Sequence, residues 1–95
     1  MEEAIRLARA RPEECHFWAT HSGAELDLLI VRGRRREGFE FKRTTAPGVT
    51  ASMRIALEDL KLDRLTVVHT GRETVPLAGR VRAVPLSRLA AHLRA

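Results

Sequence analysis

The chain has 95 residues, 44% of them hydrophobic, and Lys plus Arg outnumber Asp plus Glu 17 to 12, for a formal charge of +5. That length holds one small core, residues 1–95 as one domain, and leaves no room for a second; no run approaches the ~18 apolar residues of a membrane-crossing helix. Cys15 is the only cysteine, which excludes an intramolecular disulfide and speaks against a cysteine-based zinc site.

Residues 2–10 place early glutamates and late arginines around Ile5, Leu7 and Ala8, a polarity that suits a helix dipole, and Pro12 should end the helix. His16, Phe17, Trp18, Ala19 and Thr20 read as a first strand, closed by a turn at His21, Ser22 and Gly23. Residues 24–31 are too densely apolar for an exposed strand and predict a buried central one. Gly33, Arg34, Arg35, Arg36 and Glu37 read as a basic hairpin turn, and 38–42 as the returning strand. Because strand side chains alternate, Phe39 and Phe41 should face the core while Glu40 and Lys42 face the other way. Thr50 is placed to cap a helix running to about Lys61, in which Met53, Ala56, Leu57 and Leu60 share a face. Leu65, Val67 and Val68 predict a further strand, a loop through Pro76 and Gly79 follows, and 80–84 predicts the next strand, ended by Pro85. Ser87 is a candidate cap for a last helix carrying Leu89, Ala90 and Leu93. The expected order is helix, three-strand antiparallel meander, helix, strand, strand, helix: a mixed α/β fold whose crossover helix brings the fourth strand in parallel.

One constellation in this order looks like chemistry. If the strands at 24–31 and 38–42 pair, Asp27 and Glu40 are opposite or diagonal on one face, roughly 5–8 Å apart. That spacing lets two carboxylates bridge a hard divalent ion such as magnesium or manganese, which otherwise keeps water and substrate phosphate as ligands. Lys42 shares the face of Glu40 and can hold an attacking water or stabilise charge growing on a phosphate. Glu25 is either an accessory ligand or a counterion for Lys42 or Arg43. A half-exposed strand carries the same alternation of charged and apolar residues, and E-x-K is common by chance; the apolar neighbours Leu26, Leu28, Phe39 and Phe41 favour burial, where charges need a partner.

The order G-A-E-L-D, an apolar strand, a basic turn and then G-F-E-F-K resembles the signature of the PD-(D/E)XK, or restriction endonuclease-like, superfamily. The resemblance matches Asp27 to the metal-binding aspartate, Glu40 to the second acid and Lys42 to the lysine. It implies a restriction endonuclease-like mixed sheet and magnesium-dependent phosphodiester hydrolysis of DNA, with Glu25 assisting. The stretches FWATHSGAELDLLI, FEFKRTTAP and MRIALEDLKLDRLTVVH are similar to the C-terminal domain of a family of bacterial AAA+ ATPases, over about residues 5–93. No G-x-x-x-x-G-K-[ST] loop is present, so ATP hydrolysis by this chain is excluded; it would stand alone or be a fragment of a chain fused to an ATPase. Many nucleases of the superfamily also carry a glutamate on the first helix, and here Glu2 and Glu3 are the acids in that position, unless the family's residue lies upstream.

The positive balance should attract polyanions, DNA first among them, although an Arg, Ala and Leu excess is equally what nucleotide composition or heat adaptation produces. Arg34, Arg35 and Arg36, with Arg43 and Thr44 beside Lys42, are the residues placed to grip a nucleic-acid backbone; the hairpin arginines also fit a solvated tip, and Thr44 and Thr45 a turn. His16, His21, His69 and His92 lack metal-ligand spacing, His21 being the best placed for a phosphate, and Trp18 reads as core rather than as a base-stacking platform. A reducing cytoplasm is expected. Besides the nuclease, a nuclease-derived module that binds DNA or an ATPase partner without cleaving, and a subunit of a toxin or mobile-element defence system, fit the residues. A homodimer is expected if two sites act on two strands.

Overall fold

In the computed structural model, which describes residues 1–94, the chain folds as α1 (Glu2–Leu7), β1 (Cys15–Ala19), β2 (Glu25–Arg32), β3 (Arg35–Phe41), α2 (Ala51–Asp59), β4 (Arg64–His69), β5 (Val75–Ala78), β6 (Val81–Pro85) and α3 (Leu89–Arg94). Short 3₁₀ turns occupy Pro12–Glu14 and Leu86–Arg88. The strands form one mixed sheet in the order β1-β2-β3-β4-β6-β5. β1 to β3 make the expected antiparallel meander. After the α2 crossover β4 joins β3 in parallel, and β6 joins β4 in parallel.

Alternation along the central strands fills both faces of the sheet. Leu65 and Val67 of β4 pack with Leu29, Met53, Ala56 and Leu62 beneath α2. Val68, one residue out of phase, packs with Leu28, Ile30, Phe39, Val84, Ala4 and Leu89 beneath α1 and α3. Phe39 is fully buried, as its alternation requires, while Phe41 lies half-buried at the margin of the same core.

Five boundaries differ from the sequence reading. Helix α1 stops at Leu7, well before Pro12, because Arg9 turns left-handed (φ 55°) and Ala10 N–H reaches back to the Ile5 carbonyl at 3.1 Å, closing the helix in a Schellman-type end. The β2–β3 turn is only Gly33 and Arg34, with Gly33 at φ 58° supplying the left-handed corner, so Arg35 and Arg36 are strand residues rather than turn residues. Lys42 in turn lies just past the end of β3. The stretch through Pro76 is not a loop: it contains β5, which pairs antiparallel with β6 at the sheet margin, where a proline is tolerated. Ser87 caps nothing, since α3 is entered through the 3₁₀ turn that follows Pro85. The Thr50 cap does form, accepting from Met53 N–H at 3.2 Å, and α2 ends at Asp59.

β3, β4 and β6 all end at the same margin of the sheet, here the carboxyl margin, and β2 begins there. In open α/β sheets this is where ligands are bound. Buried His69 ties that margin together: Gly71 N–H donates to its Nδ1 at 3.0 Å, which leaves Nε2 to donate to the Glu73 carbonyl at 3.1 Å. A Cβ on Gly71 would stand 2.9 Å from the His69 ring and 3.0 Å from the Thr45 carbonyl oxygen. Gly71→Ala should therefore cost about 1–3 kcal/mol, read as a lowered urea midpoint at unchanged m. Gly48→Ala, whose added carbon meets nothing, should stay within about 0.5 kcal/mol.

Candidate functional site

At the carboxyl margin the β1–β2 ladder slips. His16 pairs with Leu29 and Trp18 with Leu26, so Asp27 and Leu28 together stand opposite Phe17. This is a β-bulge, a device that bends a strand and re-aims side chains. Its effect is visible in the core: Leu26 packs beneath α2 with Leu29, while Leu28, which strict alternation would put on the face of Leu26, packs on the opposite side with Ile30.

The regular β2–β3 register ends at Leu28 and Phe39, and beyond it side chains take over the cross-strand bonding. Asp27 N–H donates to Glu40 Oε1 at 3.1 Å, and Phe41 N–H donates to Asp27 Oδ2 at 2.9 Å. Each carboxylate thus holds the other's strand and keeps its second oxygen for a further ligand. Glu40, only 7% exposed, projects to the α2 side. Lys42 Nζ lies 3.8 Å from Glu40 Oε2. Burial, and then the neighbouring Asp27 carboxylate, raise the Glu40 pKa above the ordinary carboxyl range, against the pull of the Asp27 N–H bond and of Lys42.

The structure thus brings Asp27, Glu40 and Lys42 together, as their spacing predicts. Glu25 is exposed and forms no ion pair among the described residues; its field on Glu40 ranks last among the causes of that shift, and Lys42 pairs with Glu40 instead. Arg43 lies beside Lys42, and both line a depression of about 250 Å³ with Glu3, Phe41, His69 and Thr70. Glu3, one of the two acids on α1, therefore reaches the neighbourhood of Lys42, but its carboxylate pairs with Arg6. Thr44 is a turn residue, its hydroxyl accepting from Ala46 N–H at 3.2 Å and its carbonyl from Thr70. Arg34, Arg35 and Arg36 are at the other end of the sheet: Arg34 stands seven residues beyond Asp27, roughly 23 Å away at ~3.3 Å per strand residue.

His16 and His21 are exposed, and Trp18 packs half-buried against the α2-side core. Cys15 donates to the Arg11 carbonyl at 3.4 Å, and burial together with Glu14 pushes its thiol up, away from a reactive thiolate. Among the described residues no group of three or more His, Cys, Asp or Glu side chains is arranged to hold a metal. Two carboxylates fit the magnesium mode in which one or two protein acids share the ion with water and substrate phosphate. Sequence reasoning missed the bulge, because its only trace is a pattern of apolar residues on both faces that also describes an ordinary buried strand.

A family model described as Domain of unknown function (DUF4143) matches residues 1–89. The chain belongs to that family. The uncharacterized protein Rv2008c of Mycobacterium tuberculosis and the uncharacterized protein Mb2031c of Mycobacterium bovis are each 44% identical to it over 78 residues, 82% of this chain. The chain spans only 18% of the length of either relative. No solved structure matches it. No helix among the described residues is long and apolar enough to cross a membrane.

The raised Glu40 pKa carries a consequence for this member of the family. Between the ordinary carboxyl value and the raised one, the folded state keeps a proton that the unfolded chain releases, so stability falls as pH rises through that window. In metal-free buffer Glu40→Gln, which keeps an acceptor for Asp27 N–H, should raise the melting midpoint at pH 7.5 by about 2–5 °C. The gain should vanish below pH 4, where the wild-type carboxyl is protonated in both states; an equal effect at both pH values would refute this origin.

Proposed function

We propose that this domain is restriction endonuclease-like and that its carboxyl-margin site hydrolyses phosphodiester bonds of DNA with a magnesium or manganese ion. The observation that carries the reading is the facing pair Asp27 and Glu40, opposite each other where the β2–β3 register is extended past Leu28 and Phe39 and each bonded to the other's strand, with Lys42 3.8 Å from Glu40. The element order, with its antiparallel meander followed by parallel β4 and β6, is compatible with that fold.

Asp27 and Glu40 are the residues that would hold the ion, and their second carboxylate oxygens are the ones available for it. When bound, such an ion lowers the pKa of a coordinated water and neutralises charge on the phosphoryl oxygens. Lys42 is positioned to orient the attacking water and to stabilise negative charge as it grows on the phosphate. Arg43 stands next to Lys42 on the approach side, where a substrate phosphate would meet it. Glu25, exposed at the start of β2, would assist through its charge, which is felt at Glu40.

A second reading has a specific observation behind it. Both carboxylates already bond to backbone N–H groups, Glu3 of α1 is paired with Arg6, and no third acid joins Asp27 and Glu40 in a metal-holding group among the described residues. In that reading the domain is a nuclease-derived module that contacts DNA or an ATPase partner without cutting. A homodimer suits the cutting of two strands; a solution mass measurement decides that point.

Incubation with magnesium or manganese and supercoiled, linear, single-stranded and branched DNA tests the first reading. Asp27→Ala and Lys42→Ala should each lower the cleavage rate about 100-fold or more. Calorimetric titration with manganese should give binding that Asp27→Ala abolishes. No cleavage of any substrate and a silent titration by a folded protein would replace the nuclease with the module.

A further inference from the structure

A group of arginines lies on the side of the sheet toward the starts of β3, β4 and β6, away from the carboxylates. Two hollows adjoin there and share Asp63. One, of about 390 Å³, is lined by Arg34 and Arg35; the other, of about 230 Å³, includes Arg64, Arg80, Arg82, Thr66 and His92. Five guanidiniums thus line a surface whose acids are already engaged. Asp63 accepts from Arg36 N–H at 2.7 Å, and Glu37, just behind, is shared between Arg64 and Arg35. Arg34 and Arg82 form no ion pair among the described residues.

The second hollow is built rather than incidental. Arg80 is held by the Leu62 carbonyl at 2.6 Å and Arg64 by Glu37, so both guanidiniums are fixed in place. Thr66, 1% exposed, sets its hydroxyl 3.4 Å from His92 Nε2. Burial, then Arg64 and Arg82, hold the His92 pKa below its ordinary value, while Glu37 opposes them; the ring therefore sits in a positive field that an anion would relieve.

We propose that this arginine-lined margin docks the phosphate backbone of a nucleic acid, with one phosphate seated in the hollow formed by Arg64, Arg82, Thr66 and His92. Guanidinium forks match phosphate oxygens bidentately. By register Arg82 is level with Phe39, two strand spacings across from β3 and five residues along it from Arg34, roughly 19 Å in all, and a nucleic-acid strand presents a charge about every 3.4 Å along its axis. A single small anion fills one hollow only, whereas a backbone reaches Arg34 and Arg82 together. The site is separate from Asp27 and Glu40 and does not depend on what they do.

The test uses the full chain, a fluorescein-labelled 20-base-pair duplex and EDTA throughout, so that the carboxylate site plays no part. Anisotropy between 50 and 200 mM NaCl should show binding whose salt dependence falls by about 2 in slope in the double variant Arg34→Ala, Arg82→Ala, at ~0.9 per lost phosphate contact. Affinity at 50 mM should fall at least tenfold, while Arg54→Ala, on α2, should leave it unchanged. The His92 ring resonances should shift when the duplex is added. Wild-type affinity in the double variant, the absence of duplex binding, or a His92 shift with inorganic phosphate but not with duplex would each overturn the proposal.

Discussion

Two bonds decide how this molecule is put together at its carboxyl margin: Asp27 N–H to Glu40, and Phe41 N–H to Asp27. They continue the β2–β3 ladder past Leu28 and Phe39, where its backbone register ends, while the bulge faces edge strand β1 on the other side of β2. A buried peptide N–H left there without a partner would cost about 1–3 kcal/mol. Carboxylate acceptors remove that penalty with charge-assisted bonds. β2 changes phase at the bulge. Leu26 then serves the core beneath α2, while Leu28 and Ile30 serve the core beneath α1 and α3. The acids are therefore structural members of the fold as well as the candidate chemistry, and no buried side-chain polar atom among the described residues is left without a partner.

Charge is divided along the strands. Glu25, Asp27 and Glu40 lie at one end of the central strands with Lys42 and Arg43 beside them, Arg34, Arg64 and Arg80 lie toward the other, and Arg82 is level with Phe39. On the two proposals made above, a polyanion would be held at the arginine end, away from the acidic pair. The two ends would then serve separate tasks, one holding a duplex and the other handling a single phosphate group. This division bears on the choice between nuclease and module: DNA binding at the arginine end would be equally useful to either, so binding alone says nothing of cleavage.

The period-2 pattern of G-F-E-F-K was enough to place Phe39 in the core and Glu40 on the opposite face, because nothing local interferes with alternation in β3. The i, i+3, i+4 spacing of α2 and its Thr50 cap were equally legible. β5 was not, because Pro76 is a loop signal unless the strand is known to be a margin strand, and that depends on tertiary position. The hairpin arginines were misplaced for a related reason: a five-residue basic run looks like a loop, whereas one left-handed glycine suffices to turn the chain and leaves Arg35 and Arg36 to the strand. For the site, the three residues were legible from face and spacing. Their reciprocal backbone bonds were not, because face and spacing show which side chains meet across β2 and β3 but not that the ladder stops at Leu28 and Phe39 and leaves peptide N–H groups for them.

The electrostatics of Glu40 argue on the side of a used site. Its carboxylate is buried, lies beside a second carboxylate, and has its pKa raised by both circumstances. The hydrogen bond it accepts from Asp27 N–H needs only an oxygen, which a glutamine would provide without the desolvation and like-charge costs. A purely structural role therefore accounts for an acceptor at this position but not for an anion. An anion is what a divalent ion or a positively charged partner would require, and Lys42, at 3.8 Å and largely exposed, offsets only part of the repulsion. Groups perturbed by burial and a like charge together are found at functional sites as well as in structural networks. On the proposed reading, the divalent ion that Asp27 and Glu40 would hold is the cation that offsets the rest.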